Sequence, residues 1–226
     1  MTQGRRAGSE RRPAVLALLA ICAACGGEAL ADADEYYPAA EGTRWEYSAH
    51  YTTPDHPEIP TRTGRRIDRI DGQEGHDGRT YLRFSSTLEG IGNEPVTGES
   101  LLRADSNGIH FRIDATSTES LGLPLPPVVG HTWSWQDSWG EWRGSVLREL
   151  PIDTTAGRFE RCVEVSVEQV TSGSASRGQM KQLTTYCRGV GPVRRVTTTS
   201  TPGPQGPVRG QTEETLTRTT RQEPTP

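Results

Sequence analysis

The sequence predicts an all-β protein: an antiparallel meander whose two related halves form one curved sheet, a partial barrel or a sandwich. Two observations carry this. Period-two runs bounded by Gly, Pro, Asp and Ser recur along the chain, and no stretch of helical length places apolar residues at i, i+3, i+4 and i+7 with capping signals. Thr, Ser and Arg fill the alternate positions, as antiparallel strands with one wet face require. Core formers are scarce: Leu, Val, Ile and Phe make up 39 of 226 residues, about 17%, below the roughly 20% at which disorder becomes an alternative. A net charge of -4 is too small to hold the whole chain unfolded. The composition therefore allows one modest domain with flexible ends. It excludes a polytopic membrane protein, a collagen, a coiled coil and a large-cored multidomain enzyme.

Residues 1–24 read as an export signal. Arg5, Arg6, Arg11 and Arg12 precede the apolar run 13–24, PAVLALLAICAA. Its 12 residues fall short of the roughly 20 that span a bilayer. Two processing routes are open. Cys22-Ala23-Ala24-Cys25-Gly26 resembles a lipobox, which would leave Cys25 as a lipidated N-terminus; lipoboxes prefer Leu where Cys22 stands. Alternatively, Ala29-Leu30-Ala31 is an A-x-A site that releases a soluble protein beginning at Asp32. The lipidated route leads, because Cys25 directly ends the apolar run. It makes the membrane a partner through the lipid anchor, with residues 25–35 as a tether, and places the protein in the bacterial cell envelope, facing the periplasm. Without residues 1–24 the chain carries 21 positive and 28 negative groups, net -7. Such a surface repels phosphate backbones, so nucleic acid is not an expected partner.

Residues 36–221 form the expected β domain, and 222–226 a frayed tail. Strands are expected at 43–52, 63–70, 79–86, 98–104, 108–115, 131–136, 140–150, 159–170, 179–188, 192–199 and 212–221. The segments 54–60, 121–127 and 201–210 are rich in Pro and read as connectors. An internal echo divides the domain. Pro38, Gly42 and Trp45 match Pro126, Gly130 and Trp133 at a constant offset of 88, with Tyr47 against Trp135. Each half later reaches a Gly that opens an alternating strand, Gly108 in the first and Gly191 in the second. Two meanders, 36–120 and 126–221, are expected to share one core, because neither alone would bury enough.

Cys162 and Cys187 remain in the mature chain, and an oxidising compartment preserves disulfides. The intervening residues read as strand, turn, strand. With the turn centred between Ser174 and Ala175, facing residues sum to 349, which pairs Cys162 with Cys187 and Glu168 with Lys181. Val163, Val165 and Val167 define the apolar face, so without a bulge Cys162 falls on the face of Glu164. A redox or nucleophilic role is not expected, with no C-x-x-C spacing and no nearby His.

Three motifs together resemble a family of exported bacterial proteins, many of them lipoproteins, with no assigned activity. They are Tyr36-Tyr37-Pro38 with Gly42-x-x-Trp45-x-Tyr47, then Thr155-Ala156-Gly157-Arg158-Phe159-x-x-Cys162-x-x-Val165, and finally Tyr186-x-x-Gly189-Val190-Gly191-x-Val193. This sequence departs from the pattern at Ala39, where Leu is usual, and at Cys187. The resemblance implies an antiparallel β-rich fold and carries no catalytic residues.

No catalytic set emerges from the residues. The run 71–78 alternates carboxylates with Gly but lacks EF-hand spacing, and reads as a solvated hairpin turn. The five His residues show no metal-binding spacing, so neither a metal nor another cofactor is expected. Gly173-Ser174 is no nucleophile elbow, and 90–96 is no phosphate loop. The candidate recognition residues are Trp135, Trp139 and Trp142, beside a core-facing Trp133. Exposed rings there would form a platform for an apolar or glycan ligand, and Trp139 falls where a turn pushes it outward. The expected protein is a non-catalytic binding or structural component of the envelope. A half-barrel carrier of lipid is the second reading, a periplasmic hydrolase the third, and the oligomeric state is left open.

Overall fold

The computed structural model describes residues 35–114, 116–171, 178–203 and 206–221. Cys25, the two processing sites, the 174–175 turn and the 222–226 tail lie outside them. Twelve strands run in order: β1 (Arg44–Thr52), β2 (Arg62–His76), β3 (Arg79–Glu89), β4 (Val96–Asp105), β5 (Gly108–Arg112), β6 (Ser120–Pro124), β7 (Thr132–Asp137), β8 (Gly140–Thr154), β9 (Gly157–Thr171), β10 (Gln179–Cys187), β11 (Gly191–Thr201) and β12 (Val208–Thr220). All pair antiparallel in one sheet of order β6-β5-β4-β3-β2-β1-β12-β11-β10-β9-β8-β7. The sheet curls into a nearly closed barrel. No helix among the described residues is long and apolar enough to cross a membrane.

The strand order is the internal echo made visible. Strands β1 to β6 form one meander and β7 to β12 the other, joined side by side where β1 pairs with β12. The matched entry turns are the same structure. Gly42 N donates to Ile70 O and Ile70 N to Thr43 O, at 2.9 and 3.0 Å; Gly130 N donates to Val146 O and Val146 N to His131 O, at 2.9 and 3.0 Å. Both glycines hold positive φ, 82° and 87°, which any side chain would resist.

The core fills the end of the barrel where the chain enters. Trp45, Tyr47, Ile70, Leu102, Ile109, Leu123, Val146, Val163, Val193 and Leu216 are fully buried there. Tyr37 plugs this end from within, its ring 5.4 Å from Trp45, 6.1 Å from Phe111 and 6.3 Å from Tyr186. The opening and closing motifs therefore pack on one another. Trp45 Nε1 donates to Val190 O at 2.7 Å, Glu35 pairs with Arg188 at 3.0 Å, and a Cβ on Gly191 would stand 3.2 Å from Trp45 Nε1. Such burial of aromatic area compensates for few aliphatic residues.

Cys162 and Cys187 are bridged directly across β9 and β10, and Lys181 faces Glu168, the register in which facing residues sum to 349. No bulge interrupts β9–β10 pairing between them, so the bridge stands on the Glu164 side of the strand, and yet Cys162 and Cys187 are 2% and 1% exposed. The centre of β9 is buried on both faces, with Val163 and Val165 on one and Glu164 and Ser166 on the other.

Two sequence expectations are corrected. The connector 121–127 contains strand β6, paired to β5 from Phe111–Ser120 to Gly108–Pro124. Pro is tolerated because β6 is an edge strand whose outer side needs no donor. The run 71–78 is mostly strand: β2 continues to His76 past a bulge at Ile70–Gly72, and only Asp77-Gly78 turns. Gly72, at φ 146°, absorbs the extra residue that keeps the pairing with β3.

Candidate functional site: cavities inside the barrel

Alternation sends one set of side chains into the barrel, and above the core that set lines open cavities. The end opposite residues 35–42, where β7 turns into β8, holds a chamber of about 390 Å³ lined by Ile113, Trp139, Trp142, Met180 and Thr199. Asp137 shapes this lip. Its Oδ1 accepts from Trp139 N at 2.7 Å and from Trp142 Nε1 at 2.9 Å, which closes the β7–β8 turn and throws the Trp139 ring outward. Trp139 is 57% exposed and Ile113 58%, a pair of large apolar side chains at one opening. A matching chamber of about 370 Å³ lies in the first half, lined by Tyr51, Ile59, Leu88, Ile91, Val96 and Val208.

The four clustered Trp residues have different fates. Trp142 is buried and Trp135 half-buried; they face each other across β7 and β8 and stack at 5.9 Å with 7° between their planes. Trp135 lines the central cavity and Trp142 the chamber at the lip, so the stacked pair is the wall between them. Trp133 packs on the core, and its Nε1 donates across to Leu121 O on β6 at 2.7 Å. The structure thus brings Trp139 and Trp142 together at the lip and turns Trp135 toward the interior.

The central cavity holds about 280 Å³. Its floor is a charged network that the sequence analysis does not single out. Arg66 Nε donates to Asp68 at 2.6 Å and Nη1 to Glu214 at 3.4 Å; Arg195 Nη1 donates to Glu214 at 2.7 Å, and its Nη2 lies 3.6 Å from Asp68. Asp68 is fully buried, and its Oδ2 has no hydrogen bond. Burial pushes the Tyr37, Tyr47 and Tyr186 hydroxyls above the usual phenol range, so they stay neutral, and Tyr47 donates to Pro192 O at 2.9 Å. Two cations and two anions thus cancel inside the barrel. No local signal marks them, because Arg66 and Asp68 on β2 meet Arg195 and Glu214 only when β2 is brought to β11 and β12, more than 120 residues later.

A third feature was also missed from sequence. Asp71, Glu74, Glu99 and Asp114 meet around Arg83 and Ser85 in a groove of about 240 Å³. Hydrogen bonds from Thr116 and Ser117 hold the Asp114 carboxyl below the usual range, which ties it to its own turn. Among the described residues, no group of three or more His, Cys, Asp or Glu side chains is placed to hold a metal ion.

Fold and cavities together define a class: a nearly closed, twelve-stranded antiparallel barrel with a filled base and open interior chambers. No family model and no curated protein matches the chain. Among solved structures, a protein from Bacteroides fragilis NCTC 9343 described as exported, with a YmcC-like fold, aligns at TM-score 0.47 and 13% identity, over 83% of this chain and 99% of that one. A protein from Parabacteroides distasonis ATCC 8503 described as a lipoprotein aligns at 0.46 and 14%, over 82% and 98%.

Proposed function

We propose that the chain is an exported, non-catalytic protein of the bacterial envelope that holds an apolar ligand at the open end of its barrel. The observation that carries this is the chamber of about 390 Å³ between Ile113, Trp139, Trp142 and Met180, within the roughly 300–1,000 Å³ range of small-molecule sites. Its exposed Trp139 and Ile113 mark an entrance, on the side away from residues 35–42. That orientation suits an N-terminal anchor at Cys25, which would leave the opening facing away from the membrane. The basic residues before the apolar run 13–24 and a disulfide suited to an oxidising compartment support export.

Diphenylhexatriene, an apolar dye that fluoresces on leaving water, tests the reading. The folded protein should take up one dye per chain, and Trp139→Ala or Met180→Asp should weaken uptake about ten-fold while leaving the circular dichroism spectrum unchanged. Absence of uptake by the folded protein would overturn it. The flat, exposed Trp139 ring favours a second reading, a sugar stacked at the lip. In that case soluble oligosaccharides, and not the dye, would quench Trp139 emission. Mass spectrometry of the membrane fraction decides the anchor: an acylated N-terminal Cys25 supports it, and a chain beginning at Asp32 replaces it with the soluble route.

A further inference from the structure

The central cavity is a second site, distinct from the lip, and its surroundings specify what would fill it. Ser120, Leu121 and Gly122 of β6 and Trp135 of β7 form one of its walls. These are the two free edges of the sheet, so the cavity adjoins the one place where neighbouring strands share no ladder. Phe84, Phe111, Val165 and Val167 supply an apolar lining, and Arg66 and Arg195 face it from the floor.

The two guanidinium groups have donors to spare. Neither Arg66 Nη2 nor Arg195 Nε has a hydrogen bond among the described residues, and Arg195 is 12% exposed. Arg does not shed its proton, and both side chains are only partly buried, so these donors stand open to the cavity and can turn to a bound acceptor. A ligand that carries acceptor oxygens satisfies them; an ammonium ligand would add a third cation beside them. The floor is already neutral overall, so it accepts an uncharged ester or a single carboxylate bonded to a guanidinium.

Size narrows the class further. A dry cavity of about 150 Å³ takes benzene, so 280 Å³ takes about eleven non-hydrogen atoms. We propose that this cavity binds a short acyl compound, its carboxyl or ester oxygens against Arg66 and Arg195. Its chain lies against Phe84, Phe111, Val165 and Val167, and it enters through the seam between β6 and β7.

Calorimetric titration of the folded, disulfide-bonded protein with octanoate, methyl octanoate and octylammonium tests this. One equivalent of octanoate or methyl octanoate should bind, with octylammonium at least about ten-fold weaker. Val167→Trp, which fills the cavity, should abolish that binding, and Trp139→Ala, at the separate lip, should leave it unchanged. Failure of both acyl probes to bind overturns the proposal, as does equal binding of octylammonium or full binding by Val167→Trp. If Val167→Trp does not fold, nuclear Overhauser contacts in the unaltered protein decide. Contacts from octanoate to the Val165 and Val167 methyls support the site, and contacts confined to Met180 and Trp139 overturn it. Diphenylhexatriene uptake reads the lip alone, so either site can fail without the other.

Discussion

The two halves of this barrel meet twice, and the two seams are built differently. At the first, β1 and β12 pair continuously from Arg44–Thr220 to Thr52–Gln211, with one irregularity at Glu46–Tyr47. Behind that ladder lies the Arg66–Asp68–Arg195–Glu214 network. At the second, β6 and β7 share no ladder, and the Trp133 Nε1 bond to Leu121 O reaches across. The equivalent indole in the first half, Trp45, donates past its neighbouring strand to Val190 O at the same 2.7 Å. One repeated motif thus anchors the base of the barrel in one half and latches an open edge in the other. Backbone pairing already closes the first seam and frees its Trp to reach deeper; the second is bridged by the side chain. A barrel with one weak seam can stay folded while giving access to its interior.

Four experiments would break or sharpen this contrast. The largest effect is expected at the closed seam. Glu214→Ala leaves Arg66 and Arg195 with one carboxylate between them, and breaking such a buried set should cost about 3–5 kcal/mol in denaturant unfolding. A loss under about 1 kcal/mol would show that the network is hydrated and does not brace that seam.

Next comes the open seam. Gly144 faces Trp133 across β7 and β8, and a Cβ there would fall 2.1 Å from the indole ring. Gly144→Ala should therefore push the ring off Leu121 and cost about 1–3 kcal/mol by overpacking. Faster amide exchange in β6 and β7 should accompany that loss. Trp133→Phe removes the donor together with part of a ring packed on the core, and should cost about 1–3 kcal/mol. The exchange increase should again be confined to β6 and β7; a uniform increase across all strands would mean that the seam does not open independently.

The smallest effect concerns acid. At the end of β4, two strands in from the open edge, burial raises the Asp105 carboxyl, but hydrogen bonds from Arg103, Asn107 N and His110 outweigh it and hold the group well below the usual range. A carboxyl lowered in the folded state stabilises above its unfolded value of about 3.9, and this contribution is lost as pH falls below that. Asp105→Asn should thus flatten the decline of stability below about pH 4 without changing the slope near neutrality. An unchanged acid limb would remove Asp105 from the account.

Much of the architecture was legible in local sequence. Alternating Val163, Val165 and Val167 located β9, and the sum of 349 set its register against β10, because pairing across a hairpin is local arithmetic. Gly42 and Gly130 announced twin entry turns, because each must hold a positive φ that few other residues tolerate. Strand β6 was hidden by Pro124 and its neighbours, whose composition marks a connector. Only its pairing to β5 makes it a strand. Nothing local marks Arg66, Asp68, Arg195 and Glu214 as inward-facing, for a similar reason. Which face of a strand is wet depends on what closes over it.

By itself, the sequence determined a β-rich chain in two related meanders and a cross-strand disulfide, both written in spacings of a few residues. Only the tertiary structure decided that β1 and β12 would join while β6 and β7 would not, and that charge would lie within the barrel. Those outcomes are set by contacts between residues far apart in the chain, where period, turn chemistry and charge count carry no information about which partner will arrive.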